Sequence, residues 1–145
     1  MEKLRTKFSV CTLLREMLLN DNTIKELVGN QIYPIIAPEA TQGNYIVYVR
    51  DEYSIERTKQ GIYEQNCIVY ISCVSEDYDV SQQMADAVFQ VLDNRYNISN
   101  EKMTIRSINM TDSTEDYTGD VYIQTLQFTR KYYKIQIHIT RYGNI

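Results

Sequence analysis

The stretch IYEQNCIVYISCVSEDYDVSQQMADAVFQVLDNR, residues 62–95, decides the fold. Residues 62–74 follow the two-residue period of an extended chain. Cys67, Val69, Ile71 and Cys73 fall on one face and Asn66, Ile68, Tyr70 and Ser72 on the other, which makes the first set the candidate core face. The period then lengthens. Val80, Met84, Ala87, Val88, Val91 and Leu92 form one stripe at helical spacing, backed by Gln, Asp and Ser that suit water or a polar partner. Asp79 followed three residues later by Gln82 matches a capping box, in which two side chains satisfy free amides of the first turn. The helix therefore starts at Asp79 and ends near residues 94–97.

On the N-terminal side, Val10, Leu13, Leu14, Met17 and Leu18 mark a helix over residues 9–20, with Ser9 as its cap. Residues 20–22 break it. A short helix follows at 23–28, capped by Asn22 and stopped by Gly29 in a left-handed conformation. Residues 30–44 read as a connector holding Pro34 and Pro38, with a short strand at Ile32-Tyr33. Residues 45–51 are β-branched and aromatic, hence a strand, and the polar residues 53–61 form a long exposed hairpin loop leading back to residue 62.

On the C-terminal side the reading gives a strand at 103–110, an acidic loop at 111–120 and a long β segment from Val121. That segment breaks at Arg130-Lys131, after which Ile135, Ile137 and Ile139 alternate with Gln136, His138 and Thr140. The order α, α, β, β, α, β, β, plus a C-terminal strand, predicts an α+β fold. Its sheet is antiparallel, of four to five strands, with two main helices packed on one face. Residues 1–145 form one domain, with 131–145 a C-terminal strand extension.

Composition narrows the function classes. A chain of 145 residues, 43% apolar with five Gly and two Pro, can bury a real core and is neither collagen-like nor wholly disordered. Apolar runs such as 17–19 and 46–49 are far too short to span a membrane. Residues 1–8 show no secretion signal, so the expected compartment is the cytoplasm. Three cysteines fit that compartment: Cys67 and Cys73 stand about 20 Å apart along one strand, too far to bridge, and Cys11 is left over. None has zinc-ligand spacing. Asn97-Ile98-Ser99 and Asn109-Met110-Thr111 match the glycosylation pattern, which has no meaning without secretion.

The net charge of −4 is unevenly spread. Residues 1–60 hold 8 basic and 8 acidic side chains, residues 61–120 hold 3 and 11, and residues 121–145 hold 4 and 0. An acidic main helix with acidic flanks disfavours tight, sequence-independent DNA binding, which gathers Lys and Arg against phosphates.

Catalytic chemistry finds few footholds. His138, the single histidine, sits on the polar side of the last predicted strand, far in sequence from every cysteine. Carboxylates cluster at Glu76, Asp77 and Asp79, and again at Asp112, Glu115, Asp116 and Asp120, without the register of a calcium loop. Solitary glycines form no phosphate cradle. The reading assigns no catalytic residue, metal or cofactor. Thirteen Tyr against three Phe and no Trp is the remaining oddity. Tyr45, Tyr48, Tyr63, Tyr70, Tyr122, Tyr132 and Tyr133 fall on strands, where two readings stay open: sheet cover, or a protein interface.

One order of motifs is recognisable. A leucine-rich helix (Leu13, Leu14, Leu18, Leu19) leads through Asn20-Asp21 to Leu27-Val28-Gly29. Ile32-Tyr33-Pro34, Ala37-Pro38-Glu39 and the strand Tyr45-Ile46-Val47-Tyr48 follow. Over about residues 9–130 this resembles the tail-completion proteins of long-tailed bacteriophages, a family that includes head-to-tail joining and tail-terminator proteins. Two departures stand out: Asn44 where family members often have Pro, and residues 131–145 beyond the usual end.

The resemblance implies a non-enzymatic virion protein. It would form a homo-oligomeric ring, usually six-fold, at the head-proximal end of a tail, and enter the virion tail from the host cytoplasm. Its partners would be the tail tube protein and a head-closure or connector protein, with DNA passing through and no membrane involved. An acidic lumen would let DNA slide, which marks Asp112, Glu115, Asp116 and Asp120 as a lumen or partner face. Arg57 and Lys59 on the hairpin loop, and Arg130, Lys131, Tyr132, Tyr133 and Lys134 on the basic tail, are the expected assembly contacts. The tail would pair with the acidic flank of an adjacent copy. Competing readings are another neck or tube component and a non-viral α+β interaction module. A third is a small metal-dependent hydrolase using Asp77/Asp79 and Asp112/Asp116.

Overall fold

The elements follow the chain as α1 (Val10–Leu19), α2 (Asn22–Val28), β1 (Ile32–Pro34), β2 (Tyr45–Arg57) and β3 (Tyr63–Ser75). After them come α3 (Tyr78–Leu92), β4 (Arg95–Ser99), β5 (Thr104–Thr118) and β6 (Val121–Thr129). They are taken from a computed structural model that describes residues 6–57, 59–61 and 63–129. The strands form one six-stranded sheet in the order β1-β2-β3-β6-β5-β4. β1 runs parallel to β2 and every other pair is antiparallel. The sheet curves into a half-barrel accompanied by three helices.

The core lies between the helices and one face of the sheet. Leu18 of α1, Ile24 of α2, and Met84, Val88 and Leu92 of α3 are fully buried with Ile32, Ile46, Ile71, Cys73 and Phe128 from four strands. The face expected of β3 is the buried one: Val69, Ile71 and Cys73 are inside and Cys67 is half-buried.

The caps differ in detail from the expected ones. α3 is capped by Asp77, not Asp79: Asp77 takes extended backbone angles and its Oδ1 accepts from the Val80 N–H at 3.1 Å. Asp79 instead sits in the first turn, where a carboxylate faces the positive end of the helix dipole. α2 likewise starts one residue early, with Asp21 Oδ2 accepting from the Ile24 N–H at 3.1 Å, and it ends at Gly29 with φ 62°. Ser9 makes no side-chain capping bond to α1.

The expected antiparallel sheet of four to five strands under two main helices is overturned: the sheet has six strands and is mixed, with three helices. The short strand expected at Ile32-Tyr33 is present as β1, and Ile32 is fully buried opposite Ile46 of β2. Two features escaped the periodicity. β4 is an edge strand with only Ile98 half-buried, so it carries no apolar alternation; the left-handed Asn94 (φ 55°) turns the chain into it. The two expected loops, 53–61 and 111–120, are mostly strand. β2 continues to Arg57 past an irregularity between Arg50 and Tyr53, and β5 continues to Thr118. Backbone ladders close whatever the side chains are, so polar residues wet on both faces still pair. Gly119 and Asp120, at φ 60° and 67°, turn the chain between β5 and β6 as the two left-handed residues of a tight hairpin.

Candidate assembly interface

Because successive strand residues alternate faces, the ladders fix what the sheet presents on the side away from the core. Tyr45, Val74 and Ile123 align across β2, β3 and β6, then Val47, Ser72 and Thr125, then Val49, Tyr70 and Gln127. The middle row is joined by a hydrogen bond of 3.0 Å between the Ser72 and Thr125 hydroxyls. Most of these side chains are half-buried, and only Val74 is fully so. This is an apolar-to-mixed surface dominated by β-branched and tyrosyl side chains.

The connector between β1 and β2 rises beside it. A concavity of about 420 Å³ is bounded by Ile35, Ile36 and Pro38 on the connector and by Val47, Val74 and Ile123 on the sheet. Ile35 and Ile36 are 73% and 76% exposed, the two most exposed large apolar side chains among the described residues. Ile35 also has φ 67°, an unfavourable left-handed conformation for a β-branched residue. Its N–H donates to the Tyr48 carbonyl at 2.8 Å, which holds the connector in this shape. Strain concentrated at an exposed apolar pair is the kind found at contact sites.

The four acidic residues expected to share one face do not. Asp112 and Asp116 pair with Gln127 and Ile123 and so join the outer surface, as exposed extensions of its rows. Asp120 lies in the hairpin turn. Glu115, opposite Gln124, faces α3: it accepts from the Tyr78 hydroxyl at 3.0 and 3.3 Å and from Gln124 Nε2 at 3.0 Å. Gln124 Nε2 also donates to the Ser81 Oγ of α3 at 3.2 Å. Tyr122 packs edge-on against Tyr78 (5.3 Å between ring centroids) and at a tilt against Tyr117 (4.7 Å). The bond to Glu115 is the main reason the Tyr78 hydroxyl titrates above the usual tyrosine range, because it stabilises the protonated phenol.

Arg57 and Lys59 lie together at the opposite end of the sheet. Arg57 closes β2 opposite Tyr63 and Lys59 is exposed in the turn beyond it, while the acidic hairpin adjoins Ser75 at the far end of β3. The thirteen residues of β3 separate the two ends by about 40 Å. Glu56 and Glu64 face each other one step behind Arg57, so the tip carries both signs of charge. Arg130, Lys131, Tyr132, Tyr133, Lys134 and His138 lie outside the described residues.

Two of the three cysteines are held as thiols. Burial pushes the Cys73 thiol up to about 12 and, with the nearby Cys67, the Cys11 thiol up to about 11, so both are protonated at neutral pH. Among the described residues no group of three or more His, Cys, Asp or Glu side chains could hold a metal ion. Asp77, offered as a metal ligand by the hydrolase reading, is engaged as the α3 cap.

Sequence reasoning missed two of these features. The Ile35-Ile36 pair has a legible signal, adjacent isoleucines in a proline-flanked connector with no periodic partner. The Tyr78–Glu115 link joins residues 37 positions apart and needs the β5 register to be seen.

No family model and no curated protein matches this chain. Its fold is similar to that of a chain in the solved structure entitled "Virion of native gene transfer agent (GTA) particle". The TM-score is 0.69 at 17% sequence identity, over 80% of this chain and 88% of the other.

Proposed function

We propose that this chain is a structural subunit of a phage-type virion. It joins copies of itself into a ring at the head-proximal end of a tail, as tail-completion and tail-terminator proteins do. The observation that carries the reading is the likeness of nearly the whole fold to a chain of a virion particle. The motif order over residues 9–130 supports it from the sequence side.

The surface supports a head-to-tail ring. In such a ring each copy shows one patch to its neighbour on one side and a different patch on the other. Arg57 and Lys59 at the β2–β3 tip and Asp112 and Asp116 on the β5–β6 hairpin supply two ends of different character. Opposed charge steers such ends together and fixes their register. The Ile35-Ile36 knob supplies an apolar anchor, either to the next copy or to the tail tube. Acidic side chains turned toward the lumen would leave a passing polyanion unbound. The activity is assembly, with no reaction catalysed and no cofactor required.

Electron microscopy of particles made with and without the protein tests this. Its loss is expected to leave tails of unregulated length or heads without tails. Normal particles without it would overturn the reading, and particles defective elsewhere would favour another neck or tube component.

A further inference from the structure

β5 is paired on both sides for only part of its length. On one side β6 runs along it from Asn109 to Thr118, whereas on the other β4 meets it only between Thr104 and Ile108. Asp93, at the end of α3, covers a little more, its Oδ1 accepting from the Met110 N–H at 2.7 Å. Among the described residues no strand lies along residues 112–118 on that side, and all seven are exposed. A strand edge of this kind invites pairing with another chain, and charged side chains are one way of guarding it.

The hairpin fixes which backbone groups face that edge. Gly119 and Asp120 form a two-residue turn, so the closing pair Thr118↔Val121 exchanges both of its hydrogen bonds. Bonded pairs then recur at every second residue: Asp116↔Ile123, Thr114↔Thr125 and Asp112↔Gln127. Ser113, Glu115 and Tyr117 therefore turn their N–H and C=O groups to the open edge. Two hydrogen bonds agree with this parity. The Ser113 N–H donates to Asp112 Oδ1 at 2.9 Å and the Tyr117 N–H to Asp116 Oδ1 at 2.8 Å, so each aspartate is folded back over an edge amide.

We propose that residues 112–118 are a strand-addition site for an extended segment of another protein, one that carries two cationic side chains four residues apart on one face. The spacing follows from the register. An antiparallel strand bonded to Ser113, Glu115 and Tyr117 sets its intervening residues in non-bonded pairs with Asp112, Thr114 and Asp116, where facing side chains come closest. Asp112 and Asp116 share the outer face of the sheet. To admit the strand, their carboxylates give up the edge amides to the incoming carbonyls and need new donors. Lys or Arg directly opposite supplies them as charge-assisted bonds. Neutral or acidic residues there would leave both carboxylates without the bonds they released. The backbone ladder thus provides affinity and the two aspartates choose the partner. Each carboxylate accepts at more than one point, so a cation of a neighbouring copy can still reach it. The inference does not rest on the proposed virion role.

Two heptapeptides with blocked ends, titrated into the full isotope-labelled chain and followed by amide NMR, test it. Thr-Lys-Val-Thr-Val-Lys-Thr is the cationic strand and Thr-Glu-Val-Thr-Val-Glu-Thr its acidic counterpart. The cationic peptide is expected to shift the amides of Ser113, Glu115 and Tyr117 and slow their hydrogen exchange. The acidic one is expected to bind about tenfold more weakly or worse. Asp112→Asn with Asp116→Asn, at two exposed positions, should erase the difference between the peptides. A preference that survives this change would mean that the aspartates do not choose the partner, and no shift with millimolar cationic peptide would overturn the site itself.

Changes in the peptide alone separate strand addition from charge attraction. With its lysines opposite the two aspartates, the cationic peptide turns the N–H groups of its first Thr and both Val toward β5. N-methylation of the two Val should abolish binding, and N-methylation of the central Thr and second Lys should leave it unchanged. Equal losses from both would reduce the contact to charge attraction and overturn the proposal. Exchange in the dilute, peptide-free chain gives a further check. If the Ser113, Glu115 and Tyr117 amides already exchange as slowly as the paired amides of β6, the edge is covered and the proposal falls. It falls equally if their protection rises with chain concentration alone, since the occupant is then a second copy.

Discussion

The Tyr78 hydroxyl donates to the Glu115 carboxylate at 3.0 Å, tying the first residue of α3 to the exposed half of β5. That tie adds to the Tyr78–Tyr122 ring contact and the Gln124–Ser81 hydrogen bond that also join the hairpin to α3. The tie also dictates a titration. Donation to Glu115 raises the Tyr78 pKa in the folded state, so its contribution is present below the unfolded tyrosine value, about 10, and is lost as pH rises through the folded value. Ultraviolet titration should show Tyr78 ionising late, as burial also makes Tyr48 do. Glu115→Gln should bring Tyr78 back toward the others and Tyr78→Phe should remove its late step. An unchanged titration in Glu115→Gln would exclude the bond.

The α3 cap gives a test between two neighbouring aspartates. Asp77→Ala removes the acceptor of the Val80 N–H and should destabilise the chain by about 1 kcal/mol. Asp79→Asn keeps the shape and loses only the charge near the helix start, so about 0.3–1 kcal/mol at low salt is expected, fading as salt is added. Urea melts of the two variants check the order, and a larger loss at Asp79 would return the cap to that residue.

That choice illustrates what a sequence exposes. Asp77 and Asp79 both precede the stripe of Val80, Met84, Val88 and Leu92, so pattern fixes the helix and leaves its first residue open by two positions. The buried face of β3 was legible because Val69, Ile71 and Cys73 contrast with polar neighbours. β5 beyond Met110 was not, since Asp112, Ser113, Thr114, Glu115 and Asp116 are all exposed and have no contrast to read. Their role as a strand comes from pairing with β6, information carried by residues 121–129. The split of the acidic cluster into an outward Asp112 and Asp116 and an inward Glu115 follows from that pairing alone. Of the candidate contacts, Arg57 and Lys59 were grouped by nearness in sequence, whereas the Ile35-Ile36 knob draws its meaning from a backbone angle.

Ile35 separates strain from function. A glycine adopts φ 67° without penalty, so Ile35→Gly should leave the isolated chain as stable as before or raise its stability by up to about 1 kcal/mol. The same change deletes an apolar side chain that would contribute about 1.5–3 kcal/mol if fully buried by a partner, so association should weaken at least tenfold. Thermal melting and a binding assay with assembled tubes or rings measure the two effects. Unchanged association would remove the knob from the interface, and a large loss of stability would mean that Ile35 supports the fold.

Charge reversal tests the outer end of the sheet. Asp112 and Asp116 are exposed and lie on one face, so Asp112→Lys with Asp116→Lys should change the stability of the isolated chain by no more than about 0.5 kcal/mol per site. If these carboxylates meet a basic patch of the next copy, the double variant should fail to form rings. A compensating Arg57→Glu with Lys59→Glu should then restore part of the assembly. The rescue should weaken as salt is added, because contacts between exposed charges are screened at about 10 Å in 0.1 M salt. Native mass spectrometry or sedimentation of the variant pair reads this directly. Rings that form normally with both carboxylates reversed would turn this face away from the subunit contact and leave it for the lumen.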